Sequence, residues 1–212
     1  MEGVFSSSEC DKLLETFERH ANKDFAAILN LDREIPEARA VMKNPKIVSI
    51  LETLQGENVV GLMSQVLFKK AGSPYASQAW NPHQDNAYPQ GRPGAYITIN
   101  LFLADADPEN GGMYIYPGSH REPLLPFEPV KSYREDLGAN PGNIVKVPEK
   151  YKRADVIVKK GGMLVLNGQV IHGSYPNRSK TRSRPLFSIS YITEGEDFIP
   201  GKNANRMVIP LR

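Results

Sequence analysis

From about residue 57 the chain is a succession of short, β-prone runs separated by tight turn signals, and no other feature restricts its fold as strongly. "NVVGLMSQVLFKKAG" is rich in β-branched and apolar residues and reads as one or two strands ending at Ala71-Gly72. "AYITINLFLAD" is a further strand, and "GGMYIYPGSH" is a short one between a Gly-Gly and a Pro-Gly turn. "ADVIVKKGGMLVLNGQVIHGS" holds two or three strands around Lys-Lys-Gly-Gly and Asn-Gly turns, and "RPLFSISYITE" is another. Many short strands with frequent turns predict a β-sandwich or barrel.

The first 56 residues have a different texture. Ser6-Ser7-Ser8-Glu9 has the capping-box pattern, and Leu13, Leu14 and Phe17 continue it as an apolar stripe, so Ser6 to His20 reads as a helix. Pro36 opens a second helical segment carrying Ala38, Val41 and Met42, and "KIVSILETLQG" is a third, closed by Gly56. The expected organisation is one domain over residues 1–212. Residues 1–56 are mostly helical, 57–195 form the strand core, and 196–212 are a tail that packs back on the core or reaches a neighbour. Residues 121–153 form a long, proline-rich insertion, the kind of segment that is either a cover over a site or a disordered insertion.

A formal net charge of +2 gives no reason to expect nucleic acid or an acidic membrane as a partner. The single cysteine, Cys10, excludes an internal disulfide and fits a reducing compartment. No apolar run is long enough for a bilayer, and "MEGVFSSSECDKLLE" lacks the apolar stretch of a secretory signal. A soluble cytoplasmic protein is expected. The sequence leaves the oligomeric state open.

Four histidines are available. His20 ends the first helix, where it complements the helix dipole, and His120 lies in the turn "PGSH". His83 and Asp85 are separated by one residue, so in extended backbone their side chains point to one face and can converge on a cation. His172, at the end of "MLVLNGQVIH", can supply a third ligand from across a sandwich. Two imidazoles and a carboxylate suit non-haem Fe(II) and also zinc; a hydrogen-bonded His–Asp pair is the plain alternative. Arg184 heads the strand face Leu186, Ser188, Ser190 and can hold a carboxylate bidentately.

"HQDNAY", "NGGMYIYPGSHR" and "GGMLVLNGQVIHGSYPNRS" followed by an arginine and a strand, in that order, resemble the phytanoyl-CoA dioxygenase family. The resemblance spans about residues 60–192. It implies a mainly β fold with N-terminal helices and a double-stranded β-helix (jelly-roll, cupin-like) core. It also implies a dioxygenase that uses Fe(II), 2-oxoglutarate and O2, hydroxylates a C–H bond of a small-molecule substrate, and releases succinate and CO2. His83, Asp85 and His172 match the metal ligands. Arg184 matches the arginine for the cosubstrate carboxylate, with Arg182 the runner-up, since the family's usual spacing falls on Ser183 between them. Ser174 matches a hydroxyl that helps hold the cosubstrate, and Asn100 falls where many members carry a tryptophan beside it. Because Asp85 is present, hydroxylation or another oxidation is implied rather than halogenation. Trp80, Asn86 and Tyr88 around the first two ligands, with Gln65 and Lys70 on the preceding strand, are expected to wall the substrate pocket. The rival is a metal-binding cupin-like sensor or binding module without turnover.

Overall fold

The computed structural model describes residues 3–21, 27–130 and 142–212. Helix α1 (Ser7–His20) starts where the capping box places it: the Ser6 hydroxyl accepts from the Glu9 amide, and the Glu9 carboxylate accepts from the Ser6 amide at 2.7 Å. A short strand β1 (Ala27–Leu29) and helices α2 (Leu31–Glu34), α3 (Pro36–Met42) and α4 (Pro45–Gln55) follow. β1 and α2 carry no periodic pattern long enough to be legible in sequence. Gly56 ends α4 in the left-handed region at φ 70°, and nothing lies within 4 Å of a Cβ placed there. Gly56→Ala therefore adds backbone strain and no clash. It is expected to lower unfolding free energy by about 1–2 kcal/mol in urea titration, with Gly56→Asn recovering part of the loss.

The β strands are β2 (Val59–Leu67), β3 (Trp80–Gln84), β4 (Tyr96–Phe102), β5 (Met113–Ile115), β6 (Phe127–Pro129), β7 (Asn143–Val145), β8 (Ala154–Asp155), β9 (Met163–Asn167), β10 (Ile171–Ser174) and β11 (Leu186–Thr193). One sheet has the order β1-β2-β11-β4-β9 and the other β3-β10-β5-β8, all antiparallel. The chain crosses between sheets at β2 to β3, β3 to β4, β4 to β5, β8 to β9, β9 to β10 and β10 to β11. This back-and-forth winding is the jelly roll. The Asn-Gly turn after β9 accordingly joins strands of different sheets rather than closing a hairpin.

Alternation along β4 and β11 separates two faces. Ile97, Ile99 and Leu101, with Phe187, Ile189 and Tyr191, pack beneath the helices against Phe17, Met42 and Leu51. Phe17 and Phe187 rings meet at 4.9 Å, and the Tyr191 hydroxyl donates to the Met42 carbonyl at 3.1 Å. The opposite face presents Tyr96, Thr98 and Asn100, with Leu186, Ser188 and Ser190, to a cavity of about 490 Å³ between the sheets. The first face accounts for the core and the second for the site.

The insertion leaves β5 and returns as β8, its sheet neighbour. Its described parts include the pair β6–β7, and the Asn143 amide donates to the Tyr88 hydroxyl at 3.1 Å beside the cavity. Residues 131–141, the middle of the expected cover, lie outside the described residues. The tail packs back: Gly61 on β2 and Ile209 exchange backbone hydrogen bonds at 3.0 and 2.8 Å, and Ile209 and Leu211 enter the core. Among the described residues no helix is long and apolar enough to cross a membrane.

Candidate metal centre

β3 and β10 pair so that His83 lies directly opposite His172. Gln84 is extended (φ −112°, ψ 127°), which puts His83 and Asp85 on one side and sends its own side chain to the other. There the Gln84 amide donates to the Gln169 and Pro123 carbonyls at 2.9 and 3.1 Å and accepts from the Leu125 amide at 2.8 Å. Asp85 then opens a 3-10 turn, Asp85–Ala87. One ligand atom from each of His83, Asp85 and His172 lies within 4.8 Å of the others, with Asp85 Oδ1 3.5 Å from His83 Nε2 and 3.6 Å from His172 Nε2.

The tautomers follow from the surroundings. His83 Nδ1 is 2.7 Å from the Asn81 carbonyl and His172 Nδ1 is 3.0 Å from the Val170 carbonyl. A carbonyl only accepts, so each Nδ1 carries a proton and each Nε2 is turned to the cluster, where a neutral ring offers its lone pair to a metal. Burial pushes the His172 imidazole below its ordinary pKa, with Asp85 opposing, which keeps the ring available as a neutral ligand. Burial alone would raise the Asp85 pKa. His172, His83 and the hydroxyl of Thr98, which donates to Asp85 Oδ2 at 3.1 Å, outweigh it and hold the carboxyl well below the usual range. A carboxylate and two oriented imidazoles, open on the cavity side, fit a divalent transition metal with positions left for other ligands.

The cavity continues to a buried guanidinium. Arg184, 1% exposed, donates from Nε to the Gly111 carbonyl at 2.9 Å, while its Nη1 has no hydrogen-bond partner. Burial lowers its pKa to about 10, which leaves it charged at neutral pH. A buried, charged donor without a partner is costly unless a ligand completes it, and a carboxylate matches its geometry. Ser174 lines the same cavity. Its Oγ accepts from Lys69 Nζ at 2.8 Å, which frees its own hydroxyl proton to donate to a ligand. Gln65, Ser188 and Asn100 stand side by side on adjacent strands and form one rung of the cavity wall.

Arg182 is elsewhere. It pairs with Asp107 and Glu109, each at 2.7 Å, on the outside of the protein. Of the residues expected to wall the substrate pocket, Trp80, Tyr88 and Gln65 line this cavity, while Lys70 and Asn86 do not. Lys70 is exposed: β2 ends at Leu67 and the chain turns at Lys69, φ 32°, so the side chain of Lys70 is not carried onto the cavity wall by the strand. The neighbouring Lys69 is fully buried, and burial and then the Arg184 charge push its pKa well below the ordinary value. Asn86 is buried as a turn brace: its amide donates to the Gly91 carbonyl at 2.9 Å and its oxygen accepts from the Gly91 amide at 3.1 Å. His120 is exposed on the 3-10 turn Ser119–Arg121, and His20 caps α1 through the Thr16 carbonyl. Sequence reasoning missed Thr98, which strand alternation from Asn100 points to, and Lys69, which lies past the end of β2 where no alternation places it. It also missed Arg206, which no periodic pattern announces.

A jelly roll holding a His–carboxylate–His cluster beside a buried arginine defines the class of facial-triad metal proteins. The family model "Phytanoyl-CoA dioxygenase (PhyH)" matches residues 1–186, and the chain belongs to this family. It is 29% identical over 169 residues to phytanoyl-CoA dioxygenase domain-containing protein 1 of Danio rerio, covering 77% of this chain and 55% of that protein. It is 27% identical over 195 residues to phytanoyl-CoA dioxygenase 1 of Oryza sativa subsp. japonica, covering 92% and 65%. The chain thus spans less than two thirds of the length of either relative. The crystal structure of the epimerase SnoN in complex with Fe3+, alpha ketoglutarate and nogalamycin RO superposes with a TM-score of 0.75 at 20% identity, covering 94% of this chain and 80% of that one. At that identity the likeness concerns the fold.

Proposed function

We propose that this chain is an Fe(II)- and 2-oxoglutarate-dependent dioxygenase that hydroxylates a C–H bond of a small molecule. The observation that carries the proposal is that one cavity holds both the His83–Asp85–His172 cluster and the partly unpaired guanidinium of Arg184. Iron bound there together with the 2-oxo acid and O2 would supply the oxidising chemistry, with succinate and CO2 as coproducts. The protein's part is placement. His83, Asp85 and His172 hold the metal, Arg184 holds the far carboxylate of the cosubstrate, and the Ser174 hydroxyl donates to it. Asn100 and Gln65 line the space between with amide donors and acceptors. Leu67, Met113 and Leu186 make that end of the cavity apolar, which excludes water and strengthens the charge pairing inside it. Trp80 and Tyr88, near the metal ligands, face the substrate. The whole chain is read as one catalytic unit, in the cytoplasm, in keeping with its one free and buried cysteine.

The test is succinate formation from 2-oxoglutarate by purified protein under air. Release that requires added Fe(II), and that proceeds slowly without a primary substrate, is the expected result. Tight 2-oxoglutarate binding with no succinate at any iron concentration would instead identify a metal-dependent sensor.

A further inference from the structure

The tail that packs back on β2 brings a second guanidinium into the cavity. Arg206 is 8% exposed and lines the cavity together with Asn203 and Ala204. Its chain position is firmly held. The Asn30 amide donates to the Ala204 carbonyl at 3.0 Å, Arg33 donates to the Asn205 carbonyl, and the Met207 amide donates to the Leu62 carbonyl at 3.3 Å. The guanidinium lies 5.9 Å from the centre of the Tyr88 ring, and one of its nitrogens, Nη1, donates to the Pro200 carbonyl at 3.3 Å. Its Nε is buried without a hydrogen-bond partner, and among the described residues no carboxylate forms an ion pair with it. Its other polar neighbour is the Tyr96 hydroxyl, a neutral group, so the buried positive charge has no counter-charge, and a planar donor fork is well matched to an oxyanion.

Arg206 and Arg184 are at different ends of the same cavity. Arg184 heads the inward row Arg184, Leu186, Ser188, Ser190, and extended backbone puts Ser190 roughly 20 Å from it. Thr98, which holds Asp85, stands beside Ser190 in the β4–β11 ladder. Arg206 acts electrostatically on Tyr88 and on Tyr96, two residues before Thr98 on β4, and so belongs to the Ser190 end. If the cosubstrate occupies the Arg184 end, as the proposed function has it, Arg206 faces the substrate. We propose that Arg206 anchors an oxyanion of the substrate, a carboxylate or phosphoryl group, and that the primary substrate is therefore a small anionic molecule.

The single tryptophan, Trp80, lines the cavity and reports binding by its fluorescence. The experiment uses the full chain loaded with zinc(II), which is redox-inert, and saturating 2-oxoglutarate. It measures binding of hexanoate, pentylphosphonate and the neutral hexanamide by Trp80 fluorescence and calorimetry. Wild-type protein is expected to prefer at least one of the two anions over the amide by about tenfold to a hundredfold. The preferred anion identifies the group. Arg206→Met is expected to lose the preference, and Arg206→Lys to keep part of it. Equal binding of all three probes, no saturable binding of either anion, or an anion preference that survives Arg206→Met would overturn the assignment. The wild-type comparison stands even if the methionine variant does not fold. Succinate release by wild-type protein, followed in parallel, tests the dioxygenase reading separately: its absence removes that reading and leaves the Arg206 result to be judged on binding alone.

Discussion

Asp85→Ala protein is expected to bind Fe(II) more than about a hundredfold more weakly than wild type and to form no succinate above background. Groups that merely orient a metal ligand typically change affinity about 10–100-fold, so loss of a ligand itself has to exceed that. Asp85 contributes the only negative charge of the three-residue cluster, and its second oxygen is held by Thr98. Removing it leaves two imidazoles and an unpaired hydroxyl in a buried site, a set that satisfies neither the charge nor the coordination of a divalent cation. Calorimetry with Fe(II) under anaerobic conditions reads the affinity, and circular dichroism shows whether the jelly roll persists. His120→Ala is the control, since that histidine is exposed outside the cavity, and its metal affinity should stay at the wild-type level. Wild-type-like binding and succinate formation by the Asp85 variant would sink the proposed ligand set.

The parts of the protein that were legible in sequence are those where a local rule and the tertiary structure agree. Ser6 and Glu9 cap α1 because their reciprocal hydrogen bonds need no distant partner. β4 and β11 alternate because one face meets the helices and the other the cavity, so their burial pattern is written at period two. The same period explains why Tyr96, Thr98 and Asn100 stand on the cavity wall. What sequence alone could not deliver depends on long-range placement. β1 has three residues and exists because β2 offers it an edge. Asn86 sits beside a metal-ligand candidate in sequence, yet its side chain turns away to brace Gly91. Arg206 follows a polar stretch with no pattern of its own, and it reaches the cavity because the tail docks on β2 and on Asn30 and Arg33.

Arg184 and Arg182 flank the position at which the family usually places its arginine, and the two make opposite predictions. Arg184→Met is expected to raise the 2-oxoglutarate concentration needed for half-maximal succinate formation by about thirtyfold or more. Truncating one side of a buried, hydrogen-bonded charge pair typically costs about 2–5 kcal/mol, and each 1.4 kcal/mol is tenfold. Arg182→Met breaks the pairs with Asp107 and Glu109, which water already screens, and leaves the cavity lining untouched, so the cosubstrate requirement should not move. Arg184→Lys separates charge from shape. A lysine keeps a positive charge but has no planar fork, so it should restore only part of the affinity if the carboxylate is held bidentately. Equilibrium binding of 2-oxoglutarate to the zinc-loaded variants isolates this step from turnover. A raised requirement in the Arg182 variant with an unchanged one in the Arg184 variant would move the cosubstrate out of the cavity that β11 lines. It would also leave the buried, half-satisfied guanidinium of Arg184 without a ligand to account for it.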